Sequence, residues 1–330
     1  MPVVKICSVL FGFAVGVTLA LAGSDGVHAQ AAEKLDIVIF APPSLGAFLP
    51  PVIKAKKFDV ANGLDINFQE RTPDAYVAQF NSGEFQVGGS ASIANIGLAD
   101  IRGVKVQYLF NLFDYWGAVV TSRDSVKSPK DLEGKELAGA RSTTNYQMTE
   151  FLLKRQGVDL AKLKVLNTAP PGLIGYAIAD RADAVQIWEP AYTLMLAKKP
   201  SIRTLDLNFS KIWSEFGGSS NIPYLGVGAH ADWVAKNPDK PRRLYTIYKM
   251  AADWVTHNPD EAAPLLAKGV GPDELKAVAA MIRSNQRLAL KLMPANEIAK
   301  DIKAVYKANM ETNNLPSMPS DASIYGKALK

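Results

Sequence analysis

Three turns rich in glycine, serine and threonine each follow a predicted strand and precede a predicted helix. They span residues 42–46, 88–92 and 141–145. Backbone N–H groups at a helix start lack intrahelical acceptors and lie at the positive end of the helix dipole, so each turn is suited to hold an anion. The alternative is that each hydroxyl only caps its own helix. Because such turns end strands in both halves of the chain, we expect them to share one ligand site.

Charged and aromatic side chains near these turns favour a small organic acid as the ligand. Arg141 carries a guanidinium that can donate two hydrogen bonds to a sulfonate, carboxylate or phosphate. Glu189 is either a capping or hinge carboxylate, or a neighbour of the anion that needs a cation such as Arg141. The aromatic residues near the turns are Phe48, Phe113, Tyr115, Trp116 and Trp188. An apolar wall beside anion donors fits an organic acid better than a bare inorganic ion.

The sequence lacks the usual signals of a cofactor-dependent or nucleophilic enzyme. It contains no G-x-x-x-x-G-K-[ST], G-x-G-x-x-G, G-x-S-x-G or H-E-x-x-H motif. Cys7 is the only cysteine, and His230 and His257 are the only histidines beyond residue 30. Each histidine is interpreted as a packed or solvated side chain. We therefore expect a binding protein with no cofactor, no metal and no catalytic residue.

Composition and charge exclude several classes of protein. The 330 residues are 48% hydrophobic and 21% charged, which is typical of a folded chain with more than one core. The formal net charge is +5, but the basic residues are scattered and nowhere denser than pairs. Nucleic-acid binding normally needs a concentrated basic surface, so it is not expected. A mild positive excess instead favours small anionic ligands.

The first residues have the three-part organisation of a secretory signal peptide. Lys5 precedes an apolar stretch over residues 6–22, and Val27-His28-Ala29 offers a cleavage site after Ala29. The alternative, a membrane anchor, needs about 20 apolar residues, whereas this stretch is shorter and interrupted by glycines. Residues 1–29 are therefore predicted to be removed on export to the periplasm. The remaining chain would contain no cysteine.

Beyond the signal peptide, apolar runs of strand length alternate with helical patterns. The predicted strands are 35–40, 65–70, 85–88, 104–112, 116–121, 136–138, 164–167, 182–187 and 225–229. Alternation of this kind is typical of parallel β-α-β units in an α/β fold. The remainder is helical, and Leu244, Ile247, Tyr248 and Ala251 fall on one face that should pack in the core.

Four segments resemble one family of transport proteins. Residues 124–135, D-S-V-K-S-P-K-D-L-E-G-K, resemble the "D-S-x-I-x-S-x-x-D-L-K-G-K" passage of substrate-binding proteins that serve taurine, alkanesulfonate and nitrate ABC transporters. Further similarity lies in 62–65, 81–85 and 182–190, the last ending in Trp-Glu-Pro. The resemblance covers essentially the whole chain after the signal peptide. It is more specific for the family than for the ligand.

The resemblance implies a type II periplasmic binding protein, with two Rossmann-like lobes joined by two crossover strands and a helical C-terminal region. Lobe 1 would comprise residues 30–116 and 226–330, and lobe 2 residues 117–225. A monomer would close on a small organic anion, sulfonate-like or carboxylate, and deliver it to an ABC permease in the inner membrane. The expected ligand-binding residues are Ser44, Leu45, Phe48, Ser90, Ala91, Ser92, Tyr115, Arg141, Ser142, Thr143, Thr144, Trp188 and Glu189.

Departures from the family pattern and rival functions also bear on this interpretation. Arg141 stands where the family often has glycine-serine, which favours a carboxylate or a bulkier anion, and Gln86 replaces a family aspartate.

Two enzymes of similar fold, one forming a pyrimidine and one desulfinating, depend on cysteines absent from the exported chain. The alternatives are a secreted enzyme using Glu189 or a tyrosine, a sensor-type binding protein, and a binding protein for a thiamine-precursor-like pyrimidine.

Overall fold

Two mixed β-sheets, each flanked by helices, position the candidate site. The computed structural model describes residues 1–4, 32–217 and 219–330, so residues 5–29 of the predicted signal peptide lie outside the described residues and the signal peptide stays a prediction. The strands are β1 (Glu33–Phe40), β2 (Leu64–Arg71), β3 (Val87–Ser92), β4 (Val106–Asp114), β5 (Ala118–Thr121), β6 (Glu136–Gly139), β7 (Lys164–Asn167), β8 (Ala184–Ile187), β9 (Arg203–Leu205), β10 (Pro223–His230) and β11 (Leu290–Pro294).

The strand order separates the chain into two sheets. The first sheet has the order β11-β4-β10-β3-β1-β2 and the second the order β7-β6-β8-β5-β9. The central pairs β1–β2, β1–β3, β6–β7 and β6–β8 are parallel, as the α/β pattern predicts. The sheets are mixed, because β5, β10 and β11 each pair antiparallel with their neighbours. β5 enters the second sheet and β10 returns to the first, so their direction follows from the crossings.

Thirteen α-helices cover the sheets within the described residues. They are α1 (Pro50–Lys56), α2 (Phe58–Ala61), α3 (Pro73–Asn81), α4 (Ile93–Ile101), α5 (Thr144–Arg155), α6 (Pro170–Ile178), α7 (Ala191–Lys198), α8 (Phe209–Gly217), α9 (Ala231–Lys236), α10 (Lys240–His257), α11 (Pro259–Leu266), α12 (Pro272–Ser284) and α13 (Ala299–Glu311). The predicted apolar face of α10 is buried in the core, as its spacing indicates. No helix in this part of the chain has the length and hydropathy needed to cross a membrane.

The third strand is longer than the sequence indicates. β3 continues to Ser92, so Ser90 and Ala91 lie in the strand, and the turn predicted at 88–92 is wrong. The glycines that resemble a turn serve close packing instead. A Cβ at Gly89 would lie 2.8 Å from the Tyr248 hydroxyl oxygen, where real Cβ contacts essentially never occur. The chain therefore passes from strand to helix with no loop between.

The two segments that connect the sheets lie side by side. The backbone N–H of Tyr115, after β4, donates to the carbonyl oxygen of Ile222, before β10, at 2.6 Å. The N–H of Asp114 donates to the carbonyl of Ala289 at 2.9 Å. Paired connections of this kind are suited to act as a hinge. The strands divide between the sheets at these crossings, but residues 32–330 form one compact unit, so the lobe boundaries stay a prediction.

A buried carboxyl group lies at the start of this hinge. Burial raises the pKa of Asp114 to about 6, although the Lys291 ammonium, 3.6 Å away, and a hydrogen bond from the Ile222 backbone both lower it. The side chain is 13% exposed, so it is largely removed from water. Desolvation therefore outweighs the nearby positive charge.

We expect Asp114 to make the protein less stable as the pH rises from about 4.5 to 7. The unfolded chain releases this proton near pH 4, whereas the folded protein holds it until about pH 6, so the folded state binds more protons between these values. The free energy of unfolding should fall by about 1–2 kcal/mol across that window from this group alone. Urea denaturation of the wild type and of Asp114→Asn measures it. The same pH slope in both proteins would contradict the assignment.

Candidate functional site

The N-termini of α4 and α5, one from each sheet, lie close together. Ser92 is the N-cap of α4, and Thr143 is the N-cap of α5. In the first turn of α4, the Asn95 side-chain amide donates to the carbonyl oxygen of Ser142 at 3.4 Å. Unsatisfied N–H groups and the positive ends of two helix dipoles therefore meet at one place between the sheets.

Two buried hydroxyls at these helix starts have no hydrogen-bond partner among the described residues. They belong to Ser92, 1% exposed, and Thr144, fully buried. Leaving a buried polar group unpaired costs about 1–3 kcal/mol, so such groups are usually matched to a ligand or to water. Thr143 differs, because its hydroxyl donates to Ala140 and accepts from the backbone N–H of Tyr146 at 3.2 Å. The capping alternative thus accounts for Thr143, but not for Ser92 or Thr144.

Ser90 and Ser44 fix the turn after β1 against the sheet. The Ser90 hydroxyl accepts a hydrogen bond from the Phe40 N–H at 2.8 Å, and the Ser44 hydroxyl donates to the Phe40 carbonyl at 3.5 Å. Gly46 lies directly over Ser90, since a Cβ there would be 1.8 Å from the serine oxygen. Both predicted serines therefore bond to the protein itself, and they hold this turn beside the start of α4.

The predicted apolar site residues are buried on both sheets. Leu45, Phe48 and Ala91 belong to the first sheet and its turn, and all three are buried. The Phe48 ring packs edge-on against Phe113, with 5.9 Å between ring centroids. On the second sheet, Trp188 is buried directly after β8.

Tyr115 is also buried, and its hydroxyl bonds to another side chain. That hydroxyl and the Thr149 hydroxyl lie 3.2 Å apart. Burial raises the pKa of the Tyr115 phenol well above its ordinary value, so this group stays protonated at neutral pH. Its position links the crossing after β4 to α5.

Arg141 lies in the turn before α5 with its side chain exposed. Its backbone N–H donates to the Asn167 carboxamide at 3.0 Å. The Glu150 carboxyl, four residues beyond Tyr146, has a raised pKa caused by burial, which the positive charge of Arg141 partly offsets. The guanidinium is therefore within electrostatic reach of the first turns of α5, while its role as an anion donor stays a prediction.

Glu189 takes part in an ion pair that connects the two sheets. Its fully buried carboxylate accepts hydrogen bonds from the Thr193 N–H at 3.0 Å and the Thr193 hydroxyl at 2.9 Å. Arg287, between α12 and β11, donates from Nε at 2.7 Å. The Arg287 guanidinium also lies over the Tyr192 ring. Glu189 is thus a capping carboxylate, which is one of the two roles that the sequence predicts for it. The cation that pairs with it is Arg287 rather than Arg141.

A cavity of about 310 Å³ lies beside these groups. The turn after β1 and α1 form one wall, the start of α7 forms a second, and α11 and α12 close the third. A much smaller recess, about 10 Å³, adjoins Ser92 and Asn95 and has room for about one water molecule. The region therefore combines a polar seat with a larger neighbouring space.

The family follows from comparison of the sequence with known families. The sequence model described as NMT1/THI5 like matches residues 52–262, which is more than half of the chain. The chain belongs to the NMT1/THI5-like family. No curated protein sequence matches it.

Solved structures resembling this NMT1/THI5-like protein have the same fold. The aliphatic sulphonate binding protein SsuA of Escherichia coli is 17% identical, with a TM-score of 0.66 over 87% of this chain and 95% of that one. SsuA of Xanthomonas axonopodis pv. citri, bound to MOPS, is 16% identical, with a TM-score of 0.70 over 89% and 99%. The Candida albicans CA3427 product, described as having the generic periplasmic binding protein fold, is 14% identical, with a TM-score of 0.64 over 91% and 97%. The predicted fold class is confirmed.

Several polar groups of this NMT1/THI5-like protein are missing from the sequence prediction. Gln186, in the middle of β8, donates to the Asn145 carboxamide at 2.7 Å, and Asn145 donates to the carbonyl of Trp116 at 3.0 Å. A glutamine within an apolar strand was the available signal. No sequence signal indicated the pairing of Arg287 with Glu189, because the two residues are 98 positions apart in the sequence.

The histidines of the NMT1/THI5-like protein bond to the backbone. His230 Nε2 lies 2.7 Å from the Phe80 carbonyl oxygen, and His257 Nδ1 lies 2.7 Å from that of Asp253. His230 is half-buried and His257 is exposed, so they are a packed and a solvated side chain, as predicted. Within residues 1–4, 32–217 and 219–330, no group of three His, Cys, Asp or Glu residues is placed to hold a metal ion.

Proposed function

We propose that this protein is the extracytoplasmic solute-binding component of an ABC importer and captures a small organic anion between its two sheets. The observation that carries the proposal is the meeting of the α4 and α5 N-termini, each with a buried, unpartnered hydroxyl, at Ser92 and Thr144. Such a site offers hydrogen-bond donors and positive dipole ends to an anion. The sulfonate-binding proteins of similar fold support the same ligand class.

Binding proceeds by hinge closure. The starts of α4 and α5 lie on opposite sides of the site, so an organic anion enters when the two sheets move apart. Contacts from both sides then form in the closed state alone, so the ligand shifts the equilibrium towards closure. The paired crossings at Tyr115 and Ile222 are the hinge of this motion, between lobes 30–116 with 226–330 and 117–225.

The remaining properties follow from the same proposal. A signal peptide over residues 1–29 would place the protein in the periplasm as a monomer, where an inner-membrane permease recognises its closed form. Taurine, other sulfonates, nitrate and carboxylates are candidate ligands. Arg141, beside the first turn of α5, would add positive charge for any of them.

Rival functions are less well supported. An enzyme that uses Glu189 as acid or base is disfavoured, because Thr193 and Arg287 already occupy that carboxylate. A sensor-type protein shares every feature of the site and differs only in its membrane partner. A neutral pyrimidine ligand would leave the positive helix ends without a matching charge.

A thermal-shift screen of the exported chain tests this function. Sulfonates, aromatic carboxylates, nitrate and a hydroxymethylpyrimidine are compared at concentrations well above their expected Kd, because a bound ligand stabilises the folded state by mass action. We expect organic anions to raise the melting temperature by several degrees and the pyrimidine to leave it unchanged. The proposal would be overturned if the pyrimidine alone raised the melting temperature, or if none of the anions in the screen raised it.

A further inference from the structure

Most of the residues that line the cavity of about 310 Å³ are apolar. Twelve of its fourteen lining residues are apolar, including Phe48, Leu194 and Val278. The two charged residues, Glu70 and Lys268, are exposed. Four lining residues are prolines, whose backbones have no N–H to donate. A polar substituent placed here would lose its hydration and gain few hydrogen bonds in return.

Neither Ser92 nor Thr144 lines the cavity, but neighbouring residues of both sheets connect it to the anion seat. On the side of the first sheet, Phe48 lines the cavity and directly follows the turn that contains Gly46. Gly46 lies over Ser90, and Ser90 is two residues before Ser92, the N-cap of α4. On the side of the second sheet, Pro190 lines the cavity and lies just after the end of β8. The neighbouring strand β6 pairs with β8, and the chain runs from β6 into the start of α5. A ligand held at the helix starts would therefore meet this space on the side of α11 and α12.

We infer that this cavity receives the apolar body of the bound anion, so that the substrate is an organic anion with a ring or a branched alkyl group. The inference rests on the proposed function and narrows its substrate class. Residues from both sheets form the cavity, so it is complete only when the two sides are together, as expected for part of a ligand site. Its volume lies at the lower end of the range of small-molecule sites.

The cavity also opens outwards, so it does not impose a strict limit on ligand length. A neighbouring space of about 490 Å³ shares Pro51, Glu70, Leu265 and Lys268 with it and includes Phe68. A longer substituent can extend past the exposed Glu70 and Lys268 into solvent. The head and the first apolar group of the ligand, rather than its full length, determine recognition.

Calorimetric titration of the exported chain with two sulfonates tests the inference. Benzenesulfonate and methanesulfonate have the same head group, and they differ in the apolar surface that the cavity would bury. We expect benzenesulfonate to bind at least tenfold more tightly. In Leu194→Asn, which places an amide in the cavity wall, that difference should fall to less than threefold while methanesulfonate affinity is unchanged. Leu196→Asn is the control, because Leu196 is also half-buried on α7 but does not line the cavity.

Each outcome has a distinct meaning. Equal affinities in the wild type, or a preference for benzenesulfonate that survives Leu194→Asn, would overturn the inference and leave the proposed function standing. A loss of preference in Leu196→Asn as large as in Leu194→Asn would also overturn it, since the effect would then not come from the cavity. Failure of both sulfonates and of all screened anions to bind would refute the proposed function and the inference together.

Discussion

We expect Ser92→Asp to lower the affinity for any organic anion at least 100-fold while the protein remains folded. Aspartate is a preferred N-cap residue, so the backbone N–H groups of α4 stabilise its carboxylate. The same charge would lie at the seat proposed for the ligand. Two like charges about 4 Å apart repel by about 4 kcal/mol at an effective dielectric constant near 20, which corresponds to roughly a 1,000-fold loss. Calorimetry with benzenesulfonate measures the change.

A matched control separates this effect from a general effect of added charge. Thr72 is the exposed N-cap of α3, which has nine residues like α4. Thr72→Asp adds the same charge at a helix of the same length, and we expect it to change the affinity less than threefold. Unaltered anion binding by folded Ser92→Asp would show that the ligand lies elsewhere.

We expect Arg287→Ala to destabilise both the fold and the proposed closed state. It leaves the fully buried Glu189 carboxylate with only the two donors of Thr193. Removing one partner of a buried pair costs about 3–5 kcal/mol, and because the Arg287 side chain is 39% exposed we expect the lower value of about 2–3 kcal/mol. Since the pair joins the two sheets, affinity for the ligand should also fall about tenfold. Urea denaturation and calorimetry measure the two effects.

Arg283→Ala is the control for this variant. Arg283, four residues earlier, pairs with Asp260, and both side chains are more than half exposed. Such surface pairs contribute about 0–1 kcal/mol, so little change in stability or affinity is expected. If Arg287→Ala matched this control, the pair with Glu189 would not hold the sheets together.

Local patterns in the sequence were sufficient to predict much of the fold. The strand beginning near Leu35 and the buried face of α10 follow from local apolar patterning and helical spacing, and the structure has both. These features depend on residues close together in the chain. The family resemblance extended them to the two-sheet architecture.

Features that depend on distant residues could not be predicted in the same way. Glycines at 88 and 89 resemble a turn, and only the packing of Tyr76 and Tyr248 against them shows why the strand continues to Ser92. The partner of Glu189 comes from the other side of the molecule, where Arg287 precedes an edge strand that has no strong sequence pattern. Sequence alone also cannot decide which hydroxyls cap their helices and which lack a partner.

The most direct test is a crystal structure of the exported chain with benzenesulfonate. We expect the sulfonate oxygens to lie within hydrogen-bond distance of the Ser92 and Thr144 hydroxyls and the ring to point towards Leu194. A sulfonate bound away from the starts of α4 and α5, with those hydroxyls not in contact with it, would contradict the central claim.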